Sequence, residues 1–278
     1  MTRKWKKILL DAGVYAVALA AGLIIVFPVL YGILGAFKSA AEFSSYPPTL
    51  FPRSFLYLQN FRDAWAQVPM VRFFLNSLAV AALGTTVRLA MATLAAYSFV
   101  FYEFRGKKIL FFFILGTMML PGDTLLITNY QTITRLGLLD SYLGMAIVSF
   151  VGATQMFMLR QCFKSTPRAL REASQLDGCG DLRFMLSVLL PISKPVLVTL
   201  FVQAFVTLWN AYLWPLLVTN HTDMRTIQVG ITMLTTVEET NYHLILAGVS
   251  LSLIPAFILF FFLRRNITRS RTAGAQVG

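Results

Sequence analysis

The sequence predicts an all-α membrane protein with six transmembrane helices and both termini on the cytoplasmic side. Three observations carry this. Of 278 residues, 57% fall in the apolar set and 13% are charged, against about 45–50% and about 25% in ordinary soluble domains. The apolar residues are gathered into six long stretches nearly free of charge. The remaining charge is lopsided, 24 Lys and Arg against 12 Asp and Glu, and it is concentrated in every second connecting segment. A soluble domain of this size has no interior for so much apolar surface. With a mean hydropathy of +0.68 the chain is not disordered either.

A spanning helix needs about 20 mostly apolar residues. Residues 12–37 are uncharged, 73–102 are broken only by Arg88, and 109–134 only by Asp123. Residues 141–159, 195–220 and 244–263 are uncharged throughout. Gly and Pro occur inside several of these stretches, as membrane helices tolerate. The first follows Arg3, Lys4, Lys6 and Lys7 and so resembles a secretory signal. Its apolar run exceeds the roughly 7–15 residues of a cleaved signal, so it reads as a retained first span.

Basic residues set the orientation. One group of segments holds Arg3, Lys4, Lys6 and Lys7, then Arg105, Lys107 and Lys108, then Arg160, Lys164, Arg168, Arg171, Arg183 and Lys194, and last Arg264, Arg265, Arg269 and Arg271. The other group holds only Lys38, Arg53, Arg62, Arg72, Arg135 and Arg225. The positive-inside rule places the first group, and both termini, in the cytoplasm. The basic balance is thereby a topology signal, and nucleic-acid binding is not needed to explain it.

Two connecting segments are longer than turns. Residues 38–72 carry Pro47, Pro48, Pro52 and Pro69 among Phe51, Phe55, Tyr57, Phe61 and Trp65, which suits a short external segment lying on the surface. Residues 161–194 carry the densest charge. There Thr166-Pro167 reads as a helix start, and Gly178 and Gly180 as its end. Leu170, Ala173 and Asp177 share one helical face. A second short helix follows Asp181 through Phe184, Met185 and Leu186, until Pro191 and Pro195 introduce the fifth span. The predicted shape is a helix-glycine-helix elbow, apolar on one side.

In this elbow Glu172-Ala173-Ser174, Gly178, Val188 and Leu190-Pro191 stand at fixed spacing. The run resembles the EAA signature of ABC importer permeases, with the sugar-importer extension Asp177-Gly178 and Phe184. Ser174 and Cys179 depart from the alanines of that pattern by small changes. The resemblance extends through Asn76-Ser77, Ala95-Ala96-Tyr97, the run from Leu136 to Tyr142, and the run from Trp209 to Pro215, covering roughly residues 72–265. The chain is similar to the second permease of maltose-type carbohydrate importers, most of all those for glycerol 3-phosphate.

The resemblance implies a type I ABC importer permease fold in a bacterial inner or plasma membrane. Residues 1–71 would hold a cytoplasmic tail, the first span and the external loop; 72–265 the permease domain with its coupling loop 161–194; and 266–278 a cytoplasmic tail. It implies as partners a second homologous permease, a cytoplasmic ATPase dimer and an extracytoplasmic solute-binding protein. Glu172, Ala173, Asp177, Gly178 and Phe184 would couple the chain to the ATPase: Glu172 and Asp177 by polar contacts or by holding the elbow, Gly178 by permitting the turn, Phe184 by filling a socket. ATP would sit on the partner, and this chain would bind no cofactor. Consistently, it carries no Gly-x-x-x-x-Gly-Lys-Ser/Thr phosphate loop. A solvated charged loop with a plain glycine stop is the bland alternative.

Two other classes share features with this sequence. Gly178-Cys179-Gly180-Asp181 matches the Gly-x-Gly-Asp string of membrane aspartyl proteases, but Asp181 stands among Arg168, Arg171 and Arg183 in a loop, outside any span. An ion-coupled carrier or channel would make use of Arg88 and Asp123 inside spans, yet has no use for the elbow. Cys162 and Cys179 lack zinc-site spacing, and His221 and His243 are the only histidines, so no metal centre is predicted. Polar and aromatic residues within spans, Asn76, Arg88, Asn129, Gln155, Gln203, Trp209, Asn210 and Tyr212, are the candidates for the translocation path. For Asn129, Gln155 and Asn210, helix-to-helix hydrogen bonds are an equal alternative. Arg88 lies about 20 Å or more from either end of its stretch, at about 1.5 Å per residue, too deep to reach water along the helix. It therefore faces the bundle interior, where it meets either an anionic solute or a structural partner.

Overall fold

The computed structural model describes residues 3–235, 241–259 and 261–262, with backbone alone for 3–10 and Asp123. The tail 266–278 and its flanking Arg264 and Arg265 lie outside the described residues, as does the side chain of Asp123. Every regular element described is helical. α1 (Arg3–Gly35) contains a 25-residue apolar stretch, Asp11–Gly35, that is exposed through Leu30 and turns buried within the chain only at Gly35. α2 (Ala40–Phe43) and α3 (Gln59–Gln67) are the short pieces of the 38–72 segment. α4 (Met70–Phe101) runs unbroken for 32 residues through Arg88.

Where the sequence predicts a third span, the chain instead builds α5 (Lys107–Thr117), a tight turn at Gly122–Leu125, and α6 (Leu126–Arg135). The break falls at Pro121-Gly122, where proline lacks a donor and disfavours helix at the residue before it, and glycine adds backbone freedom. α7 (Tyr142–Ala146) continues as a 3-10 turn, Ile147–Ser149, and meets α8 (Ala153–Lys164) at 52°. The elbow follows as α9 (Arg168–Leu176) and α10 (Asp181–Phe184). A wide π turn, Met185–Leu189, then leads through α11 (Leu190–Ile192) to α12 (Lys194–Trp209).

The limb Asp181–Ile192 is bent 82° from Lys194–Trp209. α13 (Leu213–Val218), α14 (Ile227–Thr232) and α15 (Tyr242–Ser252) complete the chain, α15 belonging to an apolar helical window that reaches Leu259. Among the described residues, three helices are long and apolar enough to cross a membrane alone, or up to five crossings if each bent pair is one, so six uninterrupted spanning helices are not seen there.

Two compact units are present: Met1–Met70 with Gly230–Ile254, and Val71–Val229 with Pro255–Gly278. In the first, α15 packs against α1 and α3. Buried polar groups fix its connecting segment. Asn60 donates to the carbonyls of Ala36 (2.8 Å) and Lys38 (2.7 Å), the ammonium of the buried Lys38 donates to the Thr49 carbonyl, and Glu42 accepts from the Arg53 amide at 2.7 Å. Carbonyls left over where α1 ends need such partners, since buried backbone groups without them are costly.

The second unit has two apolar clusters. One joins Ala92, Ala96, Tyr97 and Phe99 of α4 to Met156, Leu159 and Phe163 of α8 and to Phe184, Met185, Leu189 and Leu200. The other gathers Val80, Ile133, Met145, Ala146 and Val218. The first cluster sits directly beneath the elbow.

Candidate functional site

α9 opens at Pro167, whose extended backbone (φ −58°, ψ 131°) takes the N-cap position. Thr166 does not cap: its hydroxyl turns back toward the Cys162 carbonyl at 3.5 Å. Pro167 stands one place earlier than the sequence spacing predicts, which leaves Thr166 outside capping reach. At the other end Gly178 has φ +70°. The Gly178 amide donates to the Gln175 carbonyl at 3.0 Å and the Cys179 amide to the Ser174 carbonyl at 2.9 Å. This is a Schellman ending, and it needs a left-handed residue where glycine stands. Gly180 does not share in ending α9; its extended backbone is the N-cap of α10.

The face that α9 turns to its own chain is polar, with Ser174 buried and Arg171 half-buried. Leu170, Glu172, Ala173, Leu176 and Asp177 are all exposed, Leu176 at 89%. A short amphipathic helix with its apolar and acidic residues outward is prepared for another surface. Phe184 is placed differently. It is 1% exposed, lies in the core cluster, and meets the Phe101 ring edge-on at 5.8 Å, so its socket is within this chain.

Asp181 ties the elbow to the end of α4. Its carboxylate accepts from Tyr97 Oη at 3.0 Å, from Tyr102 Oη at 2.6 Å and from Arg171 Nη2 at 3.2 Å. Arg171 Nη1 also donates to the Phe101 carbonyl at 2.9 Å, and its guanidinium lies 4.8 Å over the Phe101 ring. That carbonyl belongs to the last turn of α4, where acceptors are left over and a cation is favoured by the helix dipole. The Tyr102 hydroxyl, followed by Tyr97 and Arg171, holds the Asp181 carboxyl below the usual aspartate range despite partial desolvation. Tyr97, Tyr102 and Asp181 are not among the coupling residues that the sequence predicts. The available signal is an aspartate opening a helix in a mostly basic loop, with two tyrosines at the end of an apolar span.

Beside the elbow a cavity of about 660 Å³ is lined by Lys107, Arg160, Lys164, Arg168, Arg171 and Glu172, among others. Lys107 is paired with Glu103 at 3.0 Å, and Arg160 lies 4.1 Å over the Phe111 ring.

The candidate path residues fall into separate settings. Arg88 Nε donates to the Ser149 carbonyl, the last residue of the 3-10 turn before the 52° bend. Its stem covers Gly152 so closely that a Cβ there would lie 3.0 Å from Arg88 Cδ. Next to it the buried Gln155 donates to Gln203 Oε1 at 3.2 Å. Arg88, Gln155 and Gln203 are therefore gathered at one broken helix. Asn76 is 1% exposed, donates to the carbonyls of Asp223 (2.8 Å) and Arg225 (2.9 Å), and accepts from Tyr142 Oη at 2.7 Å. Trp209 is buried edge-on to Phe74 at 5.2 Å and stacked on Phe205 at 6.1 Å. Asn210 accepts from Gln228 at 3.3 Å, Tyr212 is exposed, and Asn129 is half-buried on α6.

Far from the elbow in sequence, a second set of loops is bonded together. Asp140 accepts from the amides of Asn220 (2.6 Å) and His221 (2.8 Å) and from the Asn220 side chain (3.2 Å). Arg72 Nε donates to the Asp223 carbonyl at 3.0 Å.

The family model for the binding-protein-dependent transport system inner membrane component matches residues 88–272. The sn-glycerol-3-phosphate transport system permease protein UgpE of Yersinia pestis bv. Antiqua is 32% identical over 268 residues, 94% of this chain and 95% of its own. That of Pectobacterium atrosepticum is 31% identical over the same coverage. Among solved structures, a bacterial ABC transporter involved in the import of the acidic polysaccharide alginate superposes with a TM-score of 0.81 at 20% identity, over 95% of this chain and 98% of that one. A bacterial alginate ABC transporter in complex with alginate pentasaccharide-bound periplasmic protein gives 0.69 at 17% identity, over 96% and 99%. The matched residues include the elbow, the bent helices and Arg88, and the chain belongs to the family of binding-protein-dependent transport system inner membrane components.

Proposed function

We propose that this chain is the transmembrane permease subunit of an ABC importer for a carbohydrate-type solute, with glycerol 3-phosphate the first candidate. The carrying observation is the elbow: a short helix closed by a left-handed glycine, anchored on one face to α4 and presenting Glu172, Ala173, Leu176 and Asp177 on the other. In this reading a cytoplasmic ATPase dimer grips that outer face, a second homologous permease completes the pathway, and an extracytoplasmic binding protein delivers the solute. ATP is bound by the partner, and this chain carries neither an ATPase site nor a cofactor.

The reading places the chain in the inner membrane with six crossings and both termini in the cytoplasm. α5, the turn after it and α6 together make the third crossing; such a break is tolerated where neighbouring protein satisfies the backbone. The bonding pattern supports this topology. Arg72, Asp140, Asn220 and Asp223, all external by charge distribution, are bonded in two groups across 80 and 151 residues. Tyr102, Arg171 and Asp181, all cytoplasmic by the same rule, meet across 79 and 10 residues. The permease domain is 72–265 with coupling loop 161–194, flanked by 1–71 and 266–278. Arg88, Asn129, Gln155, Gln203, Asn210 and Tyr212 border the path, and Asn76 and Trp209 hold its walls.

Reconstitution tests this. The chain, co-expressed with its candidate second permease and ATPase, should purify as one complex. In proteoliposomes it should import glycerol 3-phosphate only with ATP and the binding protein. A chain that purifies alone and transports on an ion gradient without ATP is the ion-coupled carrier instead.

A further inference from the structure

We propose that Asp181 is a positioning residue which, held by Tyr97, Tyr102 and Arg171, makes the elbow and the end of α4 move as one body. The inference rests on the reading of the elbow as the ATPase contact, and adds the route by which its displacement leaves the loop. Four bonds converge there, three on the Asp181 carboxylate and one from Arg171 to the Phe101 carbonyl. They join three pieces of chain: the last turn of α4 with the residue that follows it, the middle of α9, and the first residue of α10. Phe184, one turn beyond Asp181, is locked against Phe101 in the buried cluster. The outward face of α9 is exposed at Glu172, Ala173, Leu176 and Asp177.

A pull on that face therefore passes through Arg171 and Asp181 into α4. α4 is unbroken from Phe101 back to Met70 and carries Arg88 at the bend between α7 and α8. A rigid helix transmits an end displacement along its length. Without the carboxylate latch the contact of Phe184 with Phe101 remains, but α9, which carries the outward face, loses its tie through Asp181 and α4 follows its displacement less closely.

The test uses the complete importer in proteoliposomes and the double variant Tyr97→Phe/Tyr102→Phe, which removes two hydroxyls and leaves both rings. Losing a hydrogen bond to a charged group lowers the ratio of latched to unlatched elbow about tenfold or more for each hydroxyl removed. Solute imported per ATP hydrolysed should therefore fall about tenfold, with the ATPase still co-purifying and still hydrolysing ATP. Asp181→Asn is the second variant and should show the same split between hydrolysis and import. A double variant with an unchanged ratio of import to hydrolysis overturns the proposal. So does an equal fall in import, hydrolysis and complex yield, which marks the latch as a plain fold contact. If the unaltered chain does not bind an ATPase at all, the parent reading fails first, and that outcome is separate from either.

Discussion

Replacing Gly178 tests the elbow at a single backbone angle. The residue stands at φ +70°, and a Cβ built there meets nothing within 4 Å. Steric clash with this chain therefore contributes nothing, and the cost of a side chain is the left-handed penalty alone, about 1–2 kcal/mol for most L residues. Asn tolerates this region and a β-branched residue does not. That energy opposes the two bonds that close α9, from Gly178 to Gln175 and from Cys179 to Ser174. It corresponds to about a 5- to 30-fold shift away from the closed elbow. Initial rates of ATP-driven uptake should follow Gly178, then Asn, then Ala about fivefold lower, then Val lower still. Membrane abundance should be unchanged, because Gly178 is exposed and lies outside the apolar cluster. Immunoblots of membranes and uptake by the same cells measure both. Normal uptake by Gly178→Val refutes the argument. An Asn variant as poor as Val refutes it differently, since it assigns the defect to side-chain bulk against a partner.

Reporters fused after Lys107 and after Arg171 should be cytoplasmic, and those near Pro48 or Asp223 external; exchanged locations would overturn the topology and the elbow with it. Arg88→Gln removes the Nε donor to Ser149, so a structural role gives equal loss of import for charged and neutral solutes, whereas a solute-contacting arginine gives a selective loss for the phosphorylated one. Partial burial pushes the Asp140 carboxyl up, but the amides of His221 and Asn220 more than reverse it, leaving it below the ordinary aspartate range. Its contribution to stability is therefore full above the unfolded value, about 3.9, and is lost as pH falls through the lower folded value. Thermal melts of Asp140→Asn should accordingly lie below wild type at neutral pH and converge with it in acid; melts that stay parallel down to acid pH would exclude the capping role.

Much of this protein is legible in its sequence. Apolar length and the alternation of basic segments define a multispan helical membrane protein, because a bilayer imposes the same one-dimensional rule on each stretch wherever it packs. The glycine at 178 is legible too, since a helix stop is a local event between residues 174 and 179. Helix continuity was less so. The 109–134 stretch looks uniform by hydropathy, yet Pro121-Gly122 divides it, and an uncharged run of spanning length says nothing about where its backbone turns.

What only the tertiary structure decided is which side chains meet. Phe184 belongs to a motif whose resemblance implied a socket-filling role, but its socket is made by Phe101, 83 positions earlier in the chain. Asp181 looked like one more charge in a basic loop until α4 brought Tyr97 and Tyr102 within hydrogen-bonding distance of it. Depth in its stretch is enough to turn Arg88 inward, while its bond to Ser149 depends on a 52° bend that hydropathy does not encode. Burial and orientation follow from each stretch's own composition against a uniform solvent. Hydrogen-bond partners follow from packing between stretches distant in sequence, which no single stretch contains.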